Sequence, residues 1–354
     1  MWNENKVRIK DIAEELGVST ATVSNVLHGK TQKISARTVK AVEKKLEERG
    51  YIPNMAATLL ARNNSRIIGV VMNDHPKYEG HALEDPFLSA AVNHLSDEID
   101  RRGYFMMLKK AKRMKEIVVF ASMWNLDGMV LIGFCEDDYQ DLRDRIRIPF
   151  VIYDGFFDVQ NRFGNVLIDD FDGGRQVGSY LQALGHRRVL CLADNDVCMD
   201  RKRFDGLCEG LGTPAVLWII PMESSAREAF YTERLPMIRS FSAVFAVSDF
   251  YAVELMRFLQ RNGCAVPDEI SIVGFDGSRE AAASIPPLTT VVQDNLLRAK
   301  TAMDLLMQMI GKDCSSETIC IPVRLRIAKS VKAVPAKEAQ EQLFPRETVF
   351  DPDD

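Results

Sequence analysis

Residues 8–27, RIKDIAEELGVSTATVSNVL, constrain the fold of this chain more than any other stretch. Ile9, Ile12, Ala13 and Leu16 recur at helical spacing and predict one apolar face. Gly17 permits a turn, Val18 anchors it, and Ser19 is placed to cap a second helix. That helix turns Val23, Val26 and Leu27 inward and leaves Thr20, Ala21, Thr22 and Asn25 outward. The pattern is a helix-turn-helix whose short polar second helix suits the major groove of DNA. Ser35 predicts the cap of a third helix, with Val39, Val42 and Leu46 as its stripe and Gly50 beyond its end. An ordinary helical hairpin carries the same local signal, so the rest of the chain must decide.

Charge points the same way once it is resolved along the chain. The formal net charge is −5, yet residues 1–62 carry 11 Lys/Arg against 7 Asp/Glu, a net of +4, which leaves the remainder at −9. A basic head on an acidic body fits a nucleic-acid binder, and so small an excess favours two heads acting together. The N-terminal MWNENKVRIKDI lacks the apolar core of an export signal, and no apolar run reaches the ~18 residues of a membrane span. The seven cysteines are scattered and form no CxxC pair, as in a reducing cytoplasm. Cytoplasmic location and no membrane partner are therefore expected.

From Ile67 the pattern changes to short β-rich runs: RIIGVVM, GYFMMLKK, DGMVLIG, PFVIYD, NVLID, RRVLCLAD, AVLWIIP, AVFAVSD and ISIVGFD. Helical segments such as 86–102 and 171–184 lie between them. Strands alternating with helices imply α/β architecture with parallel sheets. The strands are too many for one compact sheet, which predicts a helix-turn-helix head followed by two doubly wound parallel-sheet subdomains.

The run YIPNMAATLLARNNSRIIGVV (51–71) resembles the LacI/GalR (lactose-repressor/galactose-repressor) family of bacterial transcription regulators. The resemblance continues through VLIDDFDGGRQVGSYLQALGHRRVL (166–190), RKRFDGL (201–207), ISIVGFDGS (270–278) and IPPLTTVVQD (285–294). It covers about residues 6–330 with the motifs in family order. It implies a head (1–50), a hinge helix and linker (51–66), a periplasmic-binding-protein-like body (67–330) and a tail (331–354) expected to be disordered. Within the body, 67–166 with 294–327 would form one subdomain and 167–293 the other, the final run IPVRLRI returning to the first. The resemblance also implies a homodimer on double-stranded operator DNA, controlled by a small-molecule effector, with Leu60 as the wedge that pries a base step apart in the minor groove. The tail offers one Leu and two Pro in AKEAQEQLFPRETVFDPDD, so it supplies no leucine seam for a tetramer.

Candidate contacts follow from position and from the resemblance together. Thr20, Ala21 and Asn25 match the family's base-reading positions; Asn25 can pair bidentately with adenine, where Arg or His is more usual. Thr22 serves as a phosphate contact or a cap. Ligands of parallel sheets bind at the carboxyl ends of strands. Asp276, Asp249 and Asp154 each follow such a run, and Arg203 lies in a helix-like segment after another. Carboxylates accept from hydroxyls and the Arg fork donates, which suits a carbohydrate. By resemblance Arg203 and Asp276 match effector contacts, Ser248 stands where many members carry Asn, Asn295 where some carry an aromatic, and Phe87 at a pocket position. Strand-end caps and an interdomain salt bridge are the alternative reading of the same residues.

Enzymatic readings find little support. Asp169, Asp170 and Asp172 read as helix-start residues, and Gly173-Gly174 belongs to no phosphate loop. His75 and His81, with Asp74 and Glu84 near them, have no standard zinc spacing, so neither metal nor cofactor is expected. No nucleophile–base signature stands out. A regulator answering to a nucleobase or a protein corepressor, and a solute-binding protein without a DNA role, remain as rival readings.

Overall fold

A computed structural model describes residues 7–51, 65–134, 142, 145–155, 164–311 and 317–335. The chain divides into two compact units, 1–65 and 66–354. The hinge segment with Leu60, and the tail beyond residue 335, lie outside the described residues.

The first unit holds three helices, α1 (Ile9–Leu16), α2 (Thr20–Leu27) and α3 (Ala36–Glu48). Gly17 closes α1 in the left-handed conformation, φ 61°, where a Cβ would be strained. Ser19 and Ser35 accept from the backbone N–H groups of Thr22 and Thr38, at 3.0 and 3.1 Å, and so cap α2 and α3. Ile12, Ala13, Val23, Val26 and Val42 form the core, with Leu16, Val18, Leu27, Val39 and Leu46 packed around it.

The second unit contains two six-stranded sheets. In chain order its strands are β1 (Ile67–Asn73), β2 (Phe105–Ala111), β3 (Gly128–Ile132), β4 (Phe150–Tyr153), β5 (Gly164–Ile168), β6 (Val189–Ala193), β7 (Val216–Ile219), β8 (Ala243–Ala246), β9 (Ser271–Asp276), β10 (Thr289–Val292), β11 (Thr318–Ile321) and β12 (Arg324–Arg326). The sheet orders are β11-β5-β4-β3-β1-β2 and β12-β10-β9-β8-β6-β7. All nine predicted runs appear as strands. Val/Ile/Leu-rich strands such as β3, β4, β6 and β8 are buried throughout, as strands covered on both faces must be.

The covering helices are α4 (Pro86–Arg101), α5 (Met114–Trp124), α6 (Asp170–Ala183), α7 (Cys198–Leu211), α8 (Ser224–Ile238), α9 (Asp249–Arg261), α10 (Arg279–Ala283) and α11 (Asn295–Met309). The chain passes from the first sheet to the second after β5, back through α11 after β10, and over again between β11 and β12. This corrects one expectation. The run IPVRLRI does not return whole to the first subdomain: Ile321 ends β11, parallel to β5, whereas Arg324–Arg326 pairs antiparallel with β10 in the second sheet. A β-rich run carries no mark of where it changes sheets, and here the change falls at Pro322 and Val323.

Candidate functional site

The head presents one polar face. Thr20, Ala21 and Asn25 are exposed on α2, opposite buried Val23 and Val26. Thr22 is partly drawn away from that face: its N–H caps on Ser19, and its hydroxyl lies 2.9 Å from the Ser19 hydroxyl.

The body encloses a cavity of about 350 Å³, lined from both sheets. The first half contributes the segment after β1, which carries Lys77, Tyr78, Glu79 and His81, then Asp85 and Phe87 at the start of α4, and Asp154 after β4. The second half contributes Asp194 after β6, Asp200 and Arg203 on α7, Arg227 on α8, Ser248 and Tyr251 at the start of α9, and Asp276 at the end of β9. Lining groups thus cluster after the carboxyl ends of parallel strands, where backbone groups and helix N-termini are free to meet a ligand. Glu79, Asp154 and Asp276 adopt positive φ, 49°, 62° and 122°. Such strain in non-glycine residues gathers where the surroundings fix a side chain for use.

Arg203 is locked in place. Its Nε donates to Asp170 Oδ1 at 2.8 Å, its Nη1 donates to the Val247 carbonyl at 2.5 Å, and its guanidinium stacks 3.7 Å from the centre of the Phe275 ring. The hydrogen bonds of the described residues leave Nη2 without a partner, so one edge of the fork remains for a ligand oxygen. Asp276 Oδ1 accepts from Gln293 Nε2 at 2.7 Å, and Oδ2 accepts from the Asp249 N–H at 3.3 Å. Gln293 Oε1 in turn accepts from Arg298 Nη1 at 2.9 Å, and Arg298 pairs with Asp154. A buried chain, Asp154–Arg298–Gln293–Asp276, therefore joins a lining carboxylate of one half to a lining carboxylate of the other. Low dielectric strengthens each link and raises the cost of breaking any one.

Asp194 and Asp200 form a second acidic centre. Asn195 Nδ2 donates to both, at 2.6 and 3.0 Å. Tyr251 donates its hydroxyl to Asp194 Oδ2 at 2.7 Å, and Lys77 Nζ reaches the same oxygen at 3.6 Å from the other half. Burial works against the Asp194 charge, yet Lys77, Tyr251 and Asn195 hold its carboxyl below the usual range. Burial, with Asp194 beside it, pushes Asp200 up to about 7. Burial and the neighbouring Asp249 hold Asp276 well above the usual carboxylate range against the pull of Arg203.

Five expected effector residues, Arg203, Asp276, Ser248, Phe87 and Asp154, line this one cavity. The sixth, Asp249, does not. It is buried behind the wall, accepting from Thr290 Oγ1 and from the Ser278 N–H, each at 2.6 Å. It supports Asp276 instead of facing a ligand, because the first residue of α9 turns toward β9 and β10. Ser248 spends its hydroxyl on the cap of α9, accepting from the Tyr251 N–H at 3.3 Å. Lys77, Tyr78, Asp194, Asp200, Arg227 and Tyr251 were not anticipated. Asp194 had a signal, since it follows VLCLA as Asp154 follows PFVIY; the others lie in segments without a strand-end mark.

Residues 8–54 match the family described as bacterial regulatory proteins, lacI family, and residues 179–331 match the periplasmic binding protein-like domain. The transcriptional repressor PurR of Mannheimia succiniciproducens is 27% identical over 342 residues, spanning 92% of this chain and 99% of its own length. The repressor CytR of Escherichia coli is 28% identical, spanning 94% and 98%. The lac repressor dimer bound to operator and the anti-inducer ONPF superposes with a TM-score of 0.80 at 25% identity, over 93% of this chain and all of that one. The complex of the regulator CelR with cellobiose shares the fold, with a TM-score of 0.67 at 24% identity over 92% and 99%. These relatives are transcription regulators, not enzymes. With a capped helix-turn-helix that matches the lacI family of bacterial regulatory proteins, two sheets of matching order and a cavity between them in a periplasmic-binding-protein-like body, this chain is a DNA-binding transcription regulator built as the lac repressor is.

Proposed function

We propose that the protein is a cytoplasmic homodimeric repressor that binds a near-palindromic operator and is controlled by a small polyhydroxylated molecule, a carbohydrate or carbohydrate derivative, held in the body cavity. The observation that carries the effector is the cavity's construction from both halves. A ligand touching both sides changes their relative stability, and a ligand acts only through its different affinities for two states. Arg203 Nη2, Asp276, Asp154 and Asp200 supply donors and acceptors for hydroxyls, and Tyr78, Phe87 and Tyr251 supply flat apolar faces for a ring. The lac repressor's complex with operator and CelR's complex with cellobiose support this reading by likeness.

Thr20, Ala21 and Asn25 read bases from the exposed face of α2, with Thr22 beside them near the phosphates. Leu60, outside the described residues, acts as the wedge on the evidence of its sequence context. Selection from random DNA with the purified protein tests this: the recovered sites are near-palindromes bound by two chains. Asn25→Ala costs about 1–3 kcal/mol of specific binding and relaxes one base pair per half-site. Sites without twofold symmetry, or an unchanged preference in the variant, would refute it.

A further inference from the structure

The cavity's charge does not balance. Eight carboxylates line it, from Glu79, Glu84, Asp85, Asp154, Asp194, Asp200, Asp276 and Glu280, against Lys77, Arg203 and Arg227. The two arginines offset none of the eight by direct pairing. Arg203 is paired with Asp170, and Arg227 holds Glu254 through two hydrogen bonds of 2.6 and 2.7 Å; both acids lie outside the lining. Three lining acids do have cations: Arg298 for Asp154, Arg257 for Glu280 and Lys77 for Asp194. Glu84 has only His81, and Glu79 accepts from the Ser224 N–H.

Besides Glu79, three carboxylates, Asp85, Asp200 and Asp276, face the cavity with neutral hydrogen-bond partners only. Asp85 accepts from the Leu88 N–H, Asp200 from Asn195, and Asp276 from Gln293 and the Asp249 N–H. Asp200 is 6% exposed, so water does little to relieve it. Asp85 comes from the first half and the other two from the second, and burial raises all three, so the crowding across the space is relieved by protons held on the carboxyls. A neutral ligand would leave those protons in place, whereas a cation can replace them. A cation placed among the three would be paired from both sides.

We infer that the effector carries a protonated amine, an amino sugar or comparable amino-polyol, whose ammonium sits among Asp85, Asp200 and Asp276 and draws the two halves together. The inference rests on the cavity being the effector site and narrows the class of ligand it takes.

Matched probes separate charge from shape. Tris cation and pentaerythritol are near-isosteric polyols that differ in one ammonium group; glucosamine, glucose and gluconate form a second set. Thermal unfolding of the full chain is followed with each at equal millimolar concentration, neutral pH and low salt. The amines raise the unfolding temperature by about 2–4 °C at a few times their Kd, and their neutral partners do not. In Asp200→Asn and Asp276→Asn the amine's advantage falls to the level of the neutral partner. Asp85→Asn, which keeps a capping side chain, repeats the test should either of those fold poorly. If glucose or gluconate stabilises as well as glucosamine, the amine assignment fails and the cavity stands as a ligand site. If no compound shifts unfolding, the amine assignment fails and the cavity's role fails with it.

Discussion

The two halves of the body share one plan and execute it differently. With each half numbered from its own first strand, both sheets run last-5-4-3-1-2. In each, the helix after the first strand packs on a helix arriving from the opposite half: α4 with α11 in the first, α7 with α6 in the second. The first pair carries large buried side chains, among them Leu88, Leu95, Met303 and Leu306, and Arg102 ties Glu98 to Asp304 across it. The second pair meets through backbone. A Cβ on Gly174 would stand 2.0 Å from the Arg203 carbonyl oxygen, and one on Gly206 2.0 Å from that of Phe171. The closer approach has a chemical result: it brings Asp170, at the start of α6, to Arg203 on α7. A common topology sets where a site lies, while the distance between two helices decides which charged groups can reach it.

The largest effect should come from forcing the second pair apart. Gly206→Leu places a side chain against backbone that has no rotamer to yield. It should cost about 4 kcal/mol or more, measured by urea denaturation, and disturb the Arg203 side of the cavity with it. A loss below about 1 kcal/mol would mean that the helices separate at little cost.

Arg203→Ala ranks next. The substitution leaves Asp170 buried and unpaired, for a loss of about 3 kcal/mol. From the sequence, Arg203 reads either as a ligand contact or as part of an interdomain salt bridge. The structure makes it both contact and brace, so stability and effector response should fall together. Adding Asp170→Asn should recover part of the stability and none of the response. Recovery of both would reduce Arg203 to a brace.

The smallest effect concerns proton uptake. Burial, then Asp194, lifts Asp200 to about 7, whereas an unfolded aspartate titrates near about 4. The folded chain therefore holds a proton that the unfolded chain releases between those values. The stability this provides is present at low pH and lost as pH rises through about 7. Asp200→Asn lacks that loss, so between about pH 5 and about pH 8 its unfolding temperature should gain on the parent by about 4–8 °C, on the order of 2 kcal/mol. Parallel curves would place Asp200 in contact with water.

Legibility in the sequence followed the range of the interactions. The head was readable to the residue, because Ser19, Gly17 and Ser35 act on groups within five positions of themselves. Nine strands were readable from local composition. The cavity was half readable: the strand-end rule finds Asp154 and Asp276, and applied evenly it finds Asp194. It does not say which way the first residue of a helix turns, so it also took Asp249. Lys77 has no local mark at all; its part comes from Asp194, 117 positions away. The glycines of α6 and α7 looked like composition until the opposite backbone gave them a reason.

The threefold passage of the chain between sheets bears on the order in which this protein can take shape during synthesis. The first sheet has five of its six strands once residue 168 exists, yet α11, which covers β3, β4 and β5, is not made until 309, and the sixth strand not until 321. Until then β5 offers an open row of backbone donors and acceptors beside an uncovered apolar face. The N-terminal half must therefore wait, unfinished, for the half translated after it, and the two reach completion within five residues of each other, at Ile321 and Arg326.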